Sequence, residues 1–456
     1  MSASILSTLS TTLHSPNQVY FFKDDPLLIM KSAGQYLIDE HGTKYLDCIN
    51  NVAHIGHCHP HWSGALAKQL AEQATNVRYL HPSVAELASR IAHKTPENSN
   101  LTITYFVNSG SEAIDLALRL ARAYTGGEDV VAFEAAYHGT LTSTTAFSPY
   151  KYHHLSEELL KKHGLPAEWV HIAACPDPYR GKFRDTQVPK GEDVDAYLAK
   201  KYCEDLDNMI TAAEKKGRKL AMFIAESIQS CGGQVVYPKG YLRQAYDVIR
   251  KHGGVCIADE VQCGFGRVGS AFWGFELQEG ATPDIIIVGK SMGNGYPVAG
   301  VVTRPDIAEA FANNWPEYFN TYGGNPVSAA AGLAVLDVLE DEKLMEHAEK
   351  MGLLLREKLT ALANKYPKII GQIRGEGLMF GIDIVEDVEK RTPNKKLALA
   401  IKSLLRTKHH VIVSTDGPYD NVIKIKPPMC FNADDVENLV QSLDKVLATF
   451  FDNCEF

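Results

Sequence analysis

The sequence predicts an α/β fold, a mostly parallel central sheet wrapped by helices, followed by a smaller α+β domain. Five short apolar runs without polar alternation, each ending in a polar residue before a helical pattern, predict the sheet, because strands buried on both faces read as continuous apolar stretches. After Asn325-Pro326 the texture changes to amphipathic helices and short alternating strands. With 456 residues, 45% of them hydrophobic, the chain has material for a large core.

In chain order, Met1–Tyr20 holds no Lys, Arg, Asp or Glu and is rich in Ser and Thr. It matches neither a signal peptide nor a basic mitochondrial presequence. Gln35–Asp47 is strand-like around a turn at His41-Gly42, and residues 1–50 are expected to pack with the small domain. The five runs lie within a large domain over 51–325. Tyr105–Val107 leads into Asn108, Val130–Phe133 into Glu134, Met222–Ala225 into Glu226, Val255–Ala258 into Asp259, and Ile285–Val288 into Gly289-Lys290. The charged, Pro-bearing stretch 154–219 reads as helices and loops. The small domain, 326–456, is expected to hold helices at Val327–Asp341, Leu344–Lys365 and Ala433–Phe450, with strands at Met379–Ile384 and Val422–Lys426.

Lys plus Arg is 46 against 55 Asp plus Glu, a net charge of −9. That balance argues against nucleic-acid and anionic-membrane partners, which need a basic face. No apolar run approaches the ~18 residues that span a bilayer. Nine scattered cysteines without a CxxC pair point to reduced thiols in an intracellular compartment.

Ligands of parallel sheets bind beyond the carboxyl ends of the strands, so the residues closing the five runs are the first candidates for chemistry. Ser109, Gly110 and Ser111 open a helix after Asn108. Their backbone N–H groups could bind an anion, or Ser109 could simply cap the helix. Asp259 either caps the next helix or pairs with a cation. Lys290, directly after an apolar strand and flanked by Gly and Ser, reads as a snorkelling side chain or as an amine in a dry site able to form a Schiff base. Tyr137 and His138 come after a strand, where an aromatic ring could stack on a flat cofactor. Gly264-Phe265-Gly266-Arg267-Val268-Gly269 fits the dinucleotide fingerprint, but it neither directly succeeds its strand nor opens a helix, so a nicotinamide-dependent oxidoreductase is the weaker alternative. His54, His57 and His59 with Cys58 lack a zinc-site pattern, and no metal is expected.

Taken together, Asn108–Ala113, Tyr137-His138-Gly139, Asp259–Gln262, Gly264–Arg267, Gly289-Lys290, Thr321–Pro326 and Arg374–Leu378 resemble the class III pyridoxal-phosphate aminotransferases across essentially the whole chain. The resemblance implies a fold-type I architecture, pyridoxal 5′-phosphate as cofactor, and a homodimer or homotetramer with shared active sites. By the same resemblance, Lys290 would hold the cofactor as a Schiff base and move protons, and Asp259 would pair with the pyridinium nitrogen. Ser109, Gly110 and Ser111 would surround the phosphate. Tyr137 would stack on the ring with His138 beside it, and Gln262 would bond the phenolic oxygen. Thr321 would reach the phosphate of the neighbouring subunit, and Glu226 would lie near the reacting carbon.

Two departures narrow the reading. Cys231 stands where typical ω-aminotransferases have a second glutamate, and Lys424 stands where they carry a carboxylate-gripping Arg. A lysine is a point charge suited to phosphate, and Arg a planar fork suited to carboxylate. Lys426, two residues on, would share the strand face, unless both lysines belong to a solvated face. With Leu46–His54, including Asn51, with Tyr318–Thr321 and with Lys426–Phe431, these features resemble the phospho-lyase branch of the family, whose members act on ethanolamine phosphate or 5-phosphohydroxylysine. Ile114 departs from that branch's Asn. The expected reaction is elimination of phosphate from phosphoethanolamine, giving acetaldehyde and ammonia, with Asn51, Lys424 and Lys426 as substrate-binding residues. The alternatives are the phosphohydroxylysine substrate and an alanine–glyoxylate transaminase. The resemblance points to the mitochondrial matrix, and the N-terminus without basic residues to the cytoplasm.

Overall fold

A computed structural model describes residues 22, 25–75 and 78–451; the stretch Met1–Tyr20, weighed above against a presequence, lies outside the described residues. A seven-stranded sheet runs in the order Ile103–Val107, Ala299–Thr303, Ile285–Val288, Val255–Asp259, Leu220–Glu226, Asp129–Phe133, Val170–Ala173. Only Ala299–Thr303 runs against the rest. All five apolar runs of the sequence lie in this sheet, which is mostly parallel as expected.

The pleat explains the unbroken apolar runs. Val130, Ala132, Met222, Ile224 and Ile257 point into one core, with Leu116 and Leu120 of the Gly110–Thr125 helix. Val131, Phe133, Phe223 and Cys256 point into the opposite core, with Leu206 of the Val194–Glu214 helix and Tyr246 of the Tyr241–Lys251 helix. With helices on both faces, neither side can be polar. Register then places the strand ends: Glu226 lies directly opposite Asp259, and Asp259 opposite Ile287.

The expectation of only helices and loops over 154–219 is corrected, because Val170–Ala173 forms an edge strand there. It is four residues long, with half-buried His171 held by Asp129 at 2.6 Å, too short and polar to show as an apolar run. Ala299–Thr303 was also not legible: Gly300 interrupts it where an added Cβ would come within 3.1 Å of Tyr105 O.

Two smaller sheets complete the fold. Ile29–Ala33, Tyr36–Asp39 and Lys44–Asp47 form a meander that pairs in parallel with Val411–Ile412, tying the N-terminal segment to the C-terminal third. Ile370–Glu376, Met379–Asp387, Val422–Ile425 and Ser414–Asp416 form an antiparallel sheet, with Thr392–Pro393 on its flank. The Leu344–Lys365, Lys395–His409 and Ala433–Phe451 helices share one apolar core with that sheet. Among the described residues no helix is long and apolar enough to cross a membrane.

Candidate active site

The carboxyl ends of the central strands open on a cavity of about 280 Å³, lined by Ser109, Gly110, Ser111, Tyr137, Glu226, Asp259, Gln262 and Lys290. One wall is the start of the Gly110–Thr125 helix. Ser109 caps it by accepting from Glu112 N at 3.2 Å. Because the first turn of a helix has no internal acceptors, the Gly110 and Ser111 amides remain for an anion. Gly110 leaves that space open: an added Cβ would meet Val261 Cγ2 at 3.2 Å. Gly139 has φ +93° and lies so close to Ser111 that a Cβ would come within 2.6 Å of its hydroxyl oxygen, so the 139–140 turn folds over the helix start, where Thr140 N donates to Ser111 Oγ at 3.2 Å.

Asp259 closes the far end. Its Oδ2 lies 2.8 Å from His138 Nδ1, and its Oδ1 accepts from Val261 N at 3.2 Å. His138, expected among the cofactor-binding residues, does not line this cavity. It is fully buried behind Asp259, and its backbone N–H donates to Ser148 Oγ at 2.8 Å. Sequence placed His138 beside the site; only the fold shows that its partner is the carboxylate.

Glu226, opposite Asp259, is almost completely buried. Its Oε2 accepts from Ser230 N at 3.1 Å and Gln262 Nε2 at 3.4 Å, while Oε1 has no partner. Burial, reinforced by the neighbouring Asp259, pushes its carboxyl up to about 7. Lys290 has φ +29°, uncommon for a side-chain-bearing residue and stored where Gly289 and Ser291 allow a tight turn.

Lys290, Tyr137, Gln262 and Val52 also line a second cavity of about 540 Å³, whose other walls include Asn51, Tyr150, Cys231, Asp416, Lys424 and Lys426. Neither lysine is on a solvated face: Lys424 is 8% exposed and Lys426 5%. The Val422–Ile425 strand ends one residue before Lys426, whose backbone N–H instead donates to Cys48 O at 2.7 Å, and both side chains still line one cavity. Lys424 Nζ is paired with Asp416 Oδ2. Burial lowers its proton affinity, but Asp416 more than reverses this and the net direction is up. Lys426 Nζ donates to Gln262 Oε1 at 2.6 Å and Ser230 Oγ at 3.3 Å. Asn51 Nδ2 donates to the same Gln262 oxygen at 3.3 Å. With these donors on Oε1, the Gln262 amide nitrogen is turned toward Glu226. Asp416 and Tyr150 were missed in the sequence; Asp416 lies on the neighbouring Ser414–Asp416 strand, where nothing local marks it as the partner of Lys424.

Thr321 is exposed and lines neither cavity. The basic loop at 177–184 turns away as well. Arg180 pairs with Asp383 (2.5 Å) and lines a third cavity behind Gln229. The three histidines go three ways: His54 Nε2 lies 2.7 Å from Phe265 O, His57 pairs with Asp47 and His59 with Glu342. The glycine-rich 264–269 turn carries the fully buried Arg267, which donates to Leu378 O and Pro427 O at 3.1 and 2.8 Å. It joins distant segments of the chain.

A lysine at a strand end, a carboxylate backed by an imidazole, and an open helix start make a cavity that can take an aldehyde carrying a ring nitrogen and a phosphate. Residues 21–447 match the aminotransferase class-III family model. The chain belongs to that family, and its cofactor is pyridoxal 5′-phosphate. It is 48% identical over 420 residues to an alanine–glyoxylate aminotransferase 2-like protein of Drosophila melanogaster, covering 92% of this chain and 82% of that one. It is 44% identical over 445 residues to the ethanolamine-phosphate phospho-lyase homolog 1 of Caenorhabditis elegans, covering 97% and 93%. Among solved structures, a phospholyase from Arthrobacter in complex with phosphoethanolamine matches at 34% identity and TM-score 0.88, over 98% of this chain and 99% of that one. Relatives from Arabidopsis thaliana and Homo sapiens are named as mitochondrial alanine–glyoxylate aminotransferases.

Proposed function

We propose that the protein is a phospho-lyase that eliminates phosphate from phosphoethanolamine, releasing acetaldehyde and ammonia. One observation carries the reading: two buried lysines line a cavity that opens onto Lys290, where an amino-acid-specific enzyme of the family would hold a bidentate Arg. The phosphoethanolamine-bound neighbour and the nematode relative support it.

The cavity residues fit the cofactor. The Gly110 and Ser111 amides and the Ser111 hydroxyl would hold its phosphate, Tyr137 would cover its ring, and Asp259 would hold a proton on its ring nitrogen. When bound, the cofactor supplies an electron sink for the carbon bearing the substrate nitrogen. His138 orients Asp259 and keeps it directed at the cavity. Lys290 would hold the cofactor through its amine and, when that amine is free, would take the proton from the substrate carbon bearing nitrogen. Glu226, held near neutrality by burial, stands with one free oxygen at the same place. Lys424 and Lys426 receive the departing phosphate, with Asn51 beside them. Thr321, exposed on the single chain, would complete the site of a second copy in a homodimer or homotetramer, and the relatives' names support a mitochondrial location.

The names of the insect, plant and human relatives favour a second reading, an alanine–glyoxylate transaminase. Product stoichiometry separates the two. The lyase releases phosphate, acetaldehyde and ammonia in equal amounts with no keto acid present. An enzyme that stops after one turnover until pyruvate or glyoxylate is added is a transaminase, and the lyase reading falls.

A further inference from the structure

The two buried lysines of the larger cavity are not equivalent. Lys424 is an ammonium already neutralised by Asp416, so this pair brings little net charge to an incoming anion. Lys426 has only neutral partners, the Gln262 amide oxygen and the Ser230 hydroxyl, and no carboxylate within ion-pair distance among the described residues. Its titratable surroundings do not favour a cation. Lys424 lies on the same stretch of chain and Lys290 at the mouth of the cofactor cavity. Cys231, from the 229–234 loop, has its thiol pushed up to about 12 by burial and is neutral. Asp416 stands beyond Lys424, Glu226 is reached only through the Gln262 amide, Asp47 in the same cavity wall is paired with His57, and burial pushes the Tyr137 and Tyr150 hydroxyls up. Burial first, and Lys424 second, hold the Lys426 amine well below the usual lysine range.

We propose that Lys426 determines the specificity of this cavity by taking up a proton from solvent as a dianionic phosphoryl group enters, then holding that dianion as an ammonium. The inference deepens the phospho-lyase reading and rests on it. The step moves one proton from bulk water to Nζ and forms no covalent bond. A dianion favours the charged amine more than a carboxylate monoanion does, so the proton requirement itself discriminates phosphomonoesters from amino acids. Gln262 is not left unpaired when Lys426 turns to the anion, because Asn51 Nδ2 and Ser230 Oγ remain on its oxygen at 3.3 and 3.2 Å.

Sulfate is the probe, since it is dianionic near pH 8 and has no proton to exchange there. The holoenzyme, its cofactor phosphate site filled, is titrated with sulfate by calorimetry in two buffers of different ionisation enthalpy. The expected result is binding competitive with phosphoethanolamine, with net proton uptake on sulfate binding and an affinity that falls as pH rises. Lys426→Met should abolish the uptake and weaken sulfate roughly 10- to 150-fold, the worth of a charge-assisted hydrogen bond. Wild-type binding without proton uptake, or uptake that persists in Lys426→Met, overturns the assignment to Lys426 while leaving the lyase reading intact. Sulfate that fails to compete with phosphoethanolamine removes the phosphate site from this cavity, and the inference with it. The absence of phosphate release from phosphoethanolamine overturns the lyase reading itself.

Discussion

The two cavities that meet at Lys290 are built differently. The smaller is a product of the central sheet: a helix start, a carboxylate at a strand end and a lysine just past the next strand, all placed by parallel register. It is organised around backbone amides and one carboxylate. The larger is assembled from the N-terminal meander, the 229–234 loop and the antiparallel sheet of the C-terminal third, and it is organised around side-chain charge. A site made of backbone geometry comes with the fold, whereas a site made of charged side chains on separate loops can change ligand through one or two residues. On the proposed reading, the first would hold the cofactor and the second would choose the substrate.

The largest effect tests the cofactor side. Lys290→Ala should abolish covalent cofactor attachment and lower turnover by roughly 10⁴- to 10⁶-fold, as for removal of a central nucleophile. Borohydride reduction of the wild type and subsequent peptide mapping should label Lys290. A label on Lys426 or Lys424 would break the division between the two cavities.

Asp259→Asn should leave attachment intact, visible as the cofactor's long-wavelength absorbance, yet cost roughly 10² to 10⁴ in rate, about 3–5 kcal/mol of barrier. Near-normal turnover would mean that the ring proton is held by another group.

On the substrate side, Lys424→Ala strands Asp416 as a buried charge and should cost about 3–5 kcal/mol of stability. Adding Asp416→Asn should restore most of it. Chemical denaturation of the single and double variants measures this, and a single variant as stable as wild type would show that the pair is not closed in solution.

A smaller effect concerns pH. Burial raises the Glu226 carboxyl in the folded state from its ordinary 4.5 to about 7. The folded protein therefore binds this proton more tightly than the unfolded chain. The contribution is full below about pH 4.5 and is lost as pH rises toward 7, by up to about 3 kcal/mol. Buried Glu260 titrates in the same direction and window. In the apoenzyme, Glu226→Gln should flatten the fall in melting temperature between these pH values without removing Glu260's share. An unchanged slope would place the Glu226 proton elsewhere.

Much of the smaller cavity's lining was legible in sequence because each feature is local. An apolar run ending in Asp259, a small-residue helix start at Ser109–Ser111, and a lysine flanked by Gly289 and Ser291 each announce themselves within a few residues. Arg267, by contrast, sits in a motif that imitates a nucleotide site, and only its buried contacts with Leu378 and Pro427 reveal a structural clamp. Val170–Ala173 was invisible because an edge strand of four residues with a half-buried polar side chain leaves no apolar run.

By itself the sequence determined five strands of the central sheet, three of the helices from 326 onward and the polar residues closing those strands, since burial on two faces and helical periodicity are written in neighbouring residues; the Lys395–His409 helix was not among them. Tertiary structure alone decided that His138 faces Asp259, that Lys424 is neutralised by Asp416, and that Lys426 is left with neutral partners. Those facts depend on segments 8 to 164 residues apart converging on one low-dielectric space, where the partner of a charge is set by packing and not by what stands next to it in the chain.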